Sequence, residues 1–132
     1  MPTCTHLNLR RDVEDQAARH GMEGVEGRFA TGDLGLTAAG MSLQTLSPGV
    51  RQPFGHRHAS QEELYVVVEG SGRIKLDDDI VDLAPLDAVR VPAPVWRCLE
   101  AGPEGLTFLA FGAPPMTDLQ AETEIAMGWW TG

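Results

Sequence analysis

The fold of this chain is decided by residues 49–70, which read GVRQPFGHRHASQEELYVVVEG. His56 and His58 are two residues apart, so in a strand their imidazole rings project from the same face. Residues 59–61 can turn the chain, and the next predicted strand brings the carboxylate of Glu63. That carboxylate then faces two imidazoles, and divalent metal ions accept such a set of ligands.

Short apolar runs, separated by clusters of Gly, Pro or Asp, extend on both sides of this stretch from Arg28 to Gly112. This pattern is typical of an all-β sandwich or barrel. One short helix is predicted at residues 12–20, where two alanines favour helix, Asp12 can cap it and Gly21 can end it. We predict eight strands, at residues 39–46, 55–58, 64–69, 73–76, 80–83, 88–91, 95–100 and 106–111.

The run Val66-Val67-Val68 is apolar on both faces of its strand. Both faces are then expected to be covered, one by the barrel interior and the other by a second sheet or another subunit. The valine run therefore predicts a homodimer.

Two other segments are interpreted as structural. Asp77-Asp78-Asp79 lies between two predicted strands, so a hairpin turn is favoured over a metal site. Adjacent Trp129 and Trp130 are costly to leave in water. We expect them to pack back on the barrel rather than to cover its mouth.

Composition limits the class of protein and the partners. At 132 residues, with 42% hydrophobic and 22% charged residues, the chain is typical of a single globular domain. A formal charge of -9 argues against a nucleic acid partner, which needs a basic face.

No apolar run approaches the roughly 20 residues of a membrane span, and residues 1–12 lack the apolar core of a signal peptide, so we expect no membrane partner and a cytoplasmic location. Cys4 and Cys98 form no metal or redox motif and are expected to be free thiols.

In its histidine and glutamate spacing, the chain resembles the cupins. The first cupin motif is a glycine, about five residues, H-x-H, three or four residues, E, six residues and G. Gly49, His56, His58, Glu63 and Gly70 fit this motif, with six residues instead of five after the first glycine. The resemblance selects Glu63 rather than the preceding glutamate as the site carboxylate, because it stands at the right distance before the last glycine.

The second cupin motif is degenerate in this sequence. It consists of a glycine, five residues, P-x-G, two residues and a final histidine, and it corresponds to residues 86–97. Pro92 stays in register, but Leu86 and Pro94 replace glycines and Arg97 replaces the histidine. The resemblance therefore implies a metal site that lacks its last imidazole.

For the fold, the resemblance implies one cupin-type jelly-roll β-barrel over residues 1–132, with the site inside it. Its core is expected at about 41–111, after an N-terminal arm at 1–27 that carries the short helix, and before a C-terminal tail at 113–132. For function, the resemblance implies a small molecule in the barrel but no particular reaction. Dioxygenases, isomerases, decarboxylases, sugar-modifying enzymes, ligand sensors and storage proteins share this fold.

Two interpretations of the site remain open, beside a third in which the chain is a structural dimerisation domain whose barrel mouth is sealed by Trp129 and Trp130. In the first, His56, His58 and Glu63 hold a divalent metal ion, and Fe, Mn, Ni, Zn and Cu are all compatible with this set. The protein is then a metal-dependent enzyme of the dioxygenase or isomerase type, or a sensor, and Arg97 binds a substrate anion. In the second, Arg97 pairs with Glu63 and its guanidinium takes the electrostatic place of the metal, which leaves a metal-free binding module.

Strand alternation adds candidate ligand-binding residues. Tyr65 shares the face of Glu63, and Phe54 shares that of His56, which predicts a mainly apolar pocket wall with a few polar groups. Gln61, in the turn between the two strands, is a further candidate for contact with a small-molecule ligand.

Overall fold

Eight antiparallel strands and four one-turn helices make up the computed structural model, which describes residues 3–132. The strands are β1 (Val25–Phe29), β2 (Gly40–Leu46), β3 (Phe54–His58), β4 (Glu62–Leu76), β5 (Asp79–Leu83), β6 (Ala88–Val91), β7 (Arg97–Ala113) and β8 (Thr123–Met127). The helices are α1 (Leu9–Asp12), α2 (Gln16–Arg19), α3 (Thr31–Leu34) and α4 (Leu119–Glu122). Within residues 3–132, no helix has the length and apolar character needed to cross a membrane.

The two longest strands, β4 and β7, organise the barrel because they pair with each other along most of their length. The first half of β4 also pairs with β6, and its second half with β5. On its other edge, β7 pairs with β2 through its C-terminal half and with β3 through its first residue. β1 and β8 extend the sheet beyond β2 and β3. The all-β jelly-roll prediction is confirmed by this topology.

Two glycines allow β4 and β7 to approach closely where their pairing is irregular. Gly70 and Gly105 each have a φ of 81°, in the left-handed region that side chains rarely adopt. A Cβ atom at Gly70 would collide with the carbonyl oxygen of Gly105. The register shifts on both sides of this point, between Val67 and Glu69 and between Gly70 and Gly72, as expected for β-bulges. The last glycine of the first motif is therefore required by the backbone.

The predicted strands lie where strands are found, but two pairs of them are joined into longer strands. The segments predicted at 64–69 and 73–76 form one strand, β4, and those predicted at 95–100 and 106–111 form another, β7. The turn predicted at 77–79 is confirmed as a hairpin between β4 and β5. Most of β1 lies in the predicted arm, and β8 lies in the predicted tail, where local pattern gives no signal; they become strands because they pair with β2 and β3.

The helix predicted at 12–20 is too long: α2 covers only Gln16–Arg19 of it, and a separate helix, α1, ends at Asp12. Asp15 caps α2, because its carboxylate accepts hydrogen bonds from the backbone N–H groups of Ala17 and Ala18. Val13, between the helices, is extended and only 3% exposed. A continuous helix would lose this cap and move Val13 out of its buried position.

The barrel core includes Val67, Ile74, Leu99 and Phe108, each of which is at most 1% exposed. Val67 confirms that one face of the valine run lies in the interior. The neighbouring Val68 is 44% exposed in the single chain. Its cover by a second subunit therefore stays a prediction.

The C-terminal tryptophans pack back on the barrel, as the sequence predicts. Trp130 is 5% exposed, and the guanidinium carbon of Arg51 lies 4.2 Å from the centre of its ring. Trp129 stacks on Trp96 and lies over Gly55 of β3, where a Cβ atom would come 2.6 Å from the indole. The tail thus covers the outer face of the strand that carries the two histidines.

Candidate functional site

Three strands bring the predicted site residues together inside the barrel. His56 and His58 lie on β3, Glu63 and Tyr65 lie at the start of β4, and Arg97 is the first residue of β7. His56 is in register with Arg97 across β3 and β7. On its other edge, β3 pairs with all five residues of β8. The C-terminal segment therefore holds the histidine strand in place.

One carboxylate oxygen, Oε1 of Glu63, is the centre of this cluster. Arg97 Nη1 lies 2.6 Å from it and the hydroxyl of Tyr65 lies 2.8 Å from it. The Nε2 atoms of His58 and His56 are 3.0 Å and 3.2 Å away. Four polar groups thus converge on one oxygen of a side chain that is only 12% exposed.

Arg97 is fully buried, and its guanidinium is bound on every side by protein atoms. Besides the bond to Glu63, Nε donates to the carbonyl of Val95 at 3.0 Å. Nη2 donates to the carbonyls of Pro92 at 2.8 Å and Ala93 at 3.2 Å. The loop of the degenerate second motif is therefore wrapped around a guanidinium. A buried charge is tolerated when it is paired and hydrogen bonded, and Arg97 meets both conditions.

The titratable groups of the cluster have shifted proton affinities. Burial raises the pKa of Glu63, but hydrogen bonds from His56, His58 and Tyr65 outweigh burial and place that pKa well below its usual range. Burial lowers the pKa of His56, although the carboxylate of Glu63 offsets part of this effect. Burial, followed by the nearby charge of Glu63, raises the pKa of Tyr65 well above its ordinary value. At neutral pH the cluster therefore contains a carboxylate, a neutral His56 and a phenol.

The second ring nitrogens of the two histidines differ in their surroundings. Because each Nε2 faces an ionised carboxylate, we assign the imidazole protons to the Nε2 atoms. Nδ1 of His58 then accepts a hydrogen bond from the hydroxyl of Thr123 at 3.2 Å. Nδ1 of His56 is buried and has no hydrogen-bond partner among residues 3–132.

By distance alone, His56, His58 and Glu63 could hold a metal ion, since one ligand atom from each lies within 4.8 Å of the others. The outer surroundings do not support such an ion. A histidine bound to a metal through Nε2 carries its proton on Nδ1 and nearly always donates it to a carboxylate, carbonyl or water. His56 has no protein acceptor at Nδ1 within the described chain, so metal binding there would leave a buried N–H group unsatisfied.

Charge gives a second argument against a divalent ion. An ion about 2.1 Å from Glu63 Oε1 would lie no more than about 4.7 Å from Arg97 Nη1, which is 2.6 Å from the same oxygen. At an effective dielectric constant near 20, a unit charge repels a divalent ion at that distance by roughly 7 kcal/mol, which offsets part of the attraction that the Glu63 carboxylate would supply. The residues present therefore satisfy the distances of a metal site but do not fit a divalent ion in their charge and hydrogen bonding.

The cluster lies in the wall of a pocket of about 310 Å³. Apolar side chains supply much of the lining, namely Phe29, Met41, Phe54, Tyr65, Met116, Leu119 and Ile125. Polar side chains also line it, namely Thr31, Ser42, Gln44, Gln52, His56, His58, Gln61, Glu63 and Thr123. An apolar pocket with a few fixed polar groups is typical of a binding site for a small organic molecule.

The structure places the sequence-predicted site residues in one region. His56, His58, Glu63, Tyr65, Phe54 and Gln61 line the pocket. Phe54 packs edge-on against His56 with ring centres 6.2 Å apart, and the Gln61 amide donates to the carbonyl of Pro114 at 3.2 Å. Arg97 stands behind Glu63 and is not among the described residues that line the pocket.

Several lining residues were not singled out by the sequence. Ser42 and Gln44 alternate with Leu43 on β2, so strand parity could have assigned them to the interior once the barrel was accepted. Thr123 gives no signal, because the pairing that brings it to the pocket depends on a strand that lies far away in sequence, and Met116 lies in the segment between β7 and α4.

The family model "Cupin domain" matches residues 42–111. No curated protein matches the chain.

Similar solved structures include a cupin protein from Bacteroides fragilis, with 23% identity, a TM-score of 0.70 and coverage of 89% of this chain and 92% of that one. A sugar phosphate isomerase from a cupin superfamily, from Silicibacter pomeroyi, has 21% identity, a TM-score of 0.71 and coverage of 94% and 93%. An oxalate decarboxylase variant from B. subtilis has 19% identity and a TM-score of 0.75; 94% of this chain matches 33% of that one. At these identities the likeness concerns the fold alone, and this chain spans about a third of the decarboxylase.

Proposed function

The chain belongs to the cupin family, and from this premise we propose that it binds a small organic molecule in its barrel without a metal ion. The Arg97–Glu63 pair takes the place that a metal would have in the wall of the pocket. The observation that carries this proposal is the 2.6 Å bond between Arg97 Nη1 and Glu63 Oε1, made by a guanidinium that is 0% exposed.

Binding without catalysis is supported by the state of the cluster. A general base works best when its pKa is near the working pH, whereas the pKa of Glu63 is lowered far from neutrality. The phenol of Tyr65 already donates to Glu63 at 2.8 Å. Arg97 is committed to three backbone carbonyls and Glu63, so it has little freedom to follow charge that develops on a substrate. A ligand carrier or sensor therefore agrees with these contacts better than an enzyme does.

Metal analysis tests this proposal. We expect wild-type protein, purified without an affinity tag and incubated with Fe, Mn, Ni, Zn or Cu, to hold less than about 0.1 ion per chain after dialysis. Arg97→His removes the competing charge and completes a set of three imidazoles and one carboxylate, so we expect it to hold about one ion per chain. Elemental analysis measures both, and Arg97→Met is the matched control that removes the charge without adding a ligand.

A second candidate function, a metal-dependent enzyme, is favoured by one observation, the mutual approach of His56, His58 and Glu63 within 4.8 Å. The similar structures include an oxalate decarboxylase and a salicylate 1,2-dioxygenase, at 19% and 18% identity. One ion per wild-type chain that disappears in His56→Ala/His58→Ala, while the protein stays folded, would support this function and contradict the metal-free proposal.

Three sequence-based expectations stay predictions. These are the cytoplasmic location, the homodimer and the division of residues 1–132 into a single domain with an arm and a tail. Leu64 and Val68, which are 38% and 44% exposed, are candidates for the dimer interface. Light scattering that gives only the 14.3 kDa monomer would count against the homodimer.

A further inference from the structure

Three polar side chains in the pocket wall form a hydrogen-bonded chain that begins at a backbone N–H group. The N–H of Leu99 donates to Gln52 Oε1 at 2.9 Å. Gln52 Nε2 donates to Gln44 Oε1 at 3.4 Å, and Gln44 Nε2 donates to Ser42 Oγ at 3.0 Å. All three side chains line the pocket. They are separate from the cluster around Glu63.

The backbone N–H group at which the hydrogen-bonded chain begins fixes which group donates and which accepts at each step. A backbone N–H group can only donate, so the amide oxygen of Gln52 must face Leu99 and its NH₂ group must face Gln44. The same logic turns the oxygen of Gln44 toward Gln52 and its NH₂ group toward Ser42. The backbone N–H of Gln52 also donates to the carbonyl of Leu99 at 2.9 Å, which fixes the position of Gln52, the anchor of the hydrogen-bonded chain.

Three polar hydrogens of this hydrogen-bonded chain are not used within it and remain able to donate. Each glutamine NH₂ group has a second hydrogen, and the hydroxyl of Ser42, which accepts from Gln44, keeps its own hydrogen. These hydrogens are bonded to no acceptor within residues 3–132. A ligand that presents an acceptor to this wall would satisfy them, whereas a ligand that presents only a donor would leave them unpaired.

Charge restricts the ligand further. Glu63 is the one Asp, Glu, Lys or Arg among the described residues that line the pocket, and Arg97 neutralises it. An anion or a cation in this pocket would thus lose its hydration without gaining a free opposite charge.

We infer that the pocket selects uncharged molecules that combine an apolar body with a hydrogen-bond acceptor such as a carbonyl oxygen, and that the Gln52–Gln44–Ser42 chain recognises this acceptor. The inference rests on the proposed function, the binding of a small organic molecule. The apolar side chains of the lining receive the body of the ligand.

Four probes of similar size test the ligand class. Acetophenone carries an acceptor, indole carries an N–H donor, cumene carries neither, and benzoate is a charged acceptor. We expect acetophenone to bind at least about tenfold more tightly than each of the other three, as measured by calorimetry and by chemical-shift titration of ¹⁵N-labelled protein. Equal or tighter binding of cumene, indole or benzoate would overturn the inference.

Two variants test the assigned residues. Gln44→Met breaks the chain and should reduce the preference for acetophenone over cumene to within about twofold. Gln52→Glu places a carboxylate at the anchor and forces Gln44 to turn its NH₂ group toward it, so indole should then bind more tightly than acetophenone. Thr45→Val is the control, because Thr45 bonds to Thr107 and is not among the described residues that line the pocket. An unchanged preference in folded Gln44→Met protein would also overturn the inference.

The outcomes separate this inference from the function on which it rests. If cumene or benzoate binds in the pocket and acetophenone has no advantage, the ligand class is wrong and the binding function stands. If none of the four probes binds up to its solubility limit, both are contradicted.

Discussion

Glu63 and Glu100 each bind arginine, but they do so in opposite environments. Glu63 faces the pocket and meets Arg97, whose side chain is 0% exposed. Glu100 lies beneath the C-terminal tail and meets Arg51 and Arg73, whose side chains are 25% and 41% exposed. The N–O distances are similar, at 2.6 Å for Arg97, 2.7 Å for Arg51 and 2.6 Å for Arg73.

The difference lies in what else each arginine contacts. Arg51 and Arg73 lie against Trp130, with their guanidinium carbons 4.2 Å and 5.2 Å from the ring centre, and water reaches both. They fasten the tail to the barrel by cation–π contact, and Arg51 Nη1 also donates to the carbonyl of Trp130 at 2.8 Å. Arg97 is 0% exposed and Glu63 only 12% exposed, so water would solvate each of them poorly if the other were lost. Equal distances therefore do not imply equal energies.

Removal of one arginine from each site gives the largest expected contrast. Arg97→Met should lower the free energy of unfolding by about 3–5 kcal/mol, because Glu63 keeps a buried charge without its cation. Arg73→Met should lower it by no more than about 1 kcal/mol, because Arg51 and water still solvate Glu100. Urea denaturation followed by circular dichroism measures both variants, and similar losses would contradict the distinction.

The loss of stability at low pH should also differ between Glu63 and Glu100, by less than the two arginine variants differ. The pKa values of both Glu63 and Glu100 are lowered, and that of Glu63 is lowered further. Below the ordinary glutamate pKa, these two carboxylates bind protons in the unfolded chain but stay ionised in the folded protein. The free energy of unfolding therefore falls as the pH falls, by up to about 1.4 kcal/mol per pH unit for each group.

Glu63→Gln should therefore flatten the decline in stability between pH 4.5 and pH 2.5 more than Glu100→Gln does. Urea denaturation at intervals of half a pH unit gives the slopes. A steeper decline in Glu63→Gln than in wild type would show that the sign of the shift is wrong.

Salt should produce the smallest effect. Between about 0.1 M and 1 M NaCl the screening length falls from about 10 Å to 3 Å, which weakens exposed ion pairs more than buried ones. The cost of Arg73→Met should shrink by about 0.3 kcal/mol, whereas the cost of Arg97→Met should not change. Salt sensitivity that is confined to the Arg97 variant would reverse our assignment of the two environments.

Much of the fold could be predicted from sequence because the first motif contains local signals. The histidine spacing places both imidazoles on one strand face, and the turn that follows sets the position of Glu63. Gly70 marks a close approach of two backbones that only glycine allows. These features depend on short-range geometry, and the structure agrees with them.

The rest depends on residues that are distant in sequence. β8 gives no periodic signal of its own and becomes a strand through its pairing with β3. The hydrogen bonds of Arg97 could not be predicted, because no pattern of residue types reveals that three carbonyls of its own loop surround the guanidinium. The donor chain through Gln44 required the side-chain amides to be placed in space.

The position of Arg97 also has an evolutionary meaning. The arginine codons CGT and CGC become the histidine codons CAT and CAC by a single base change. The residue in question is in register with His56 on the neighbouring strand, so an imidazole there would face the histidine pair across the sheet. If the metal-free proposal holds, a CGT or CGC codon at position 97 would place the metal-free barrel one base change away from a barrel with a third imidazole for a metal.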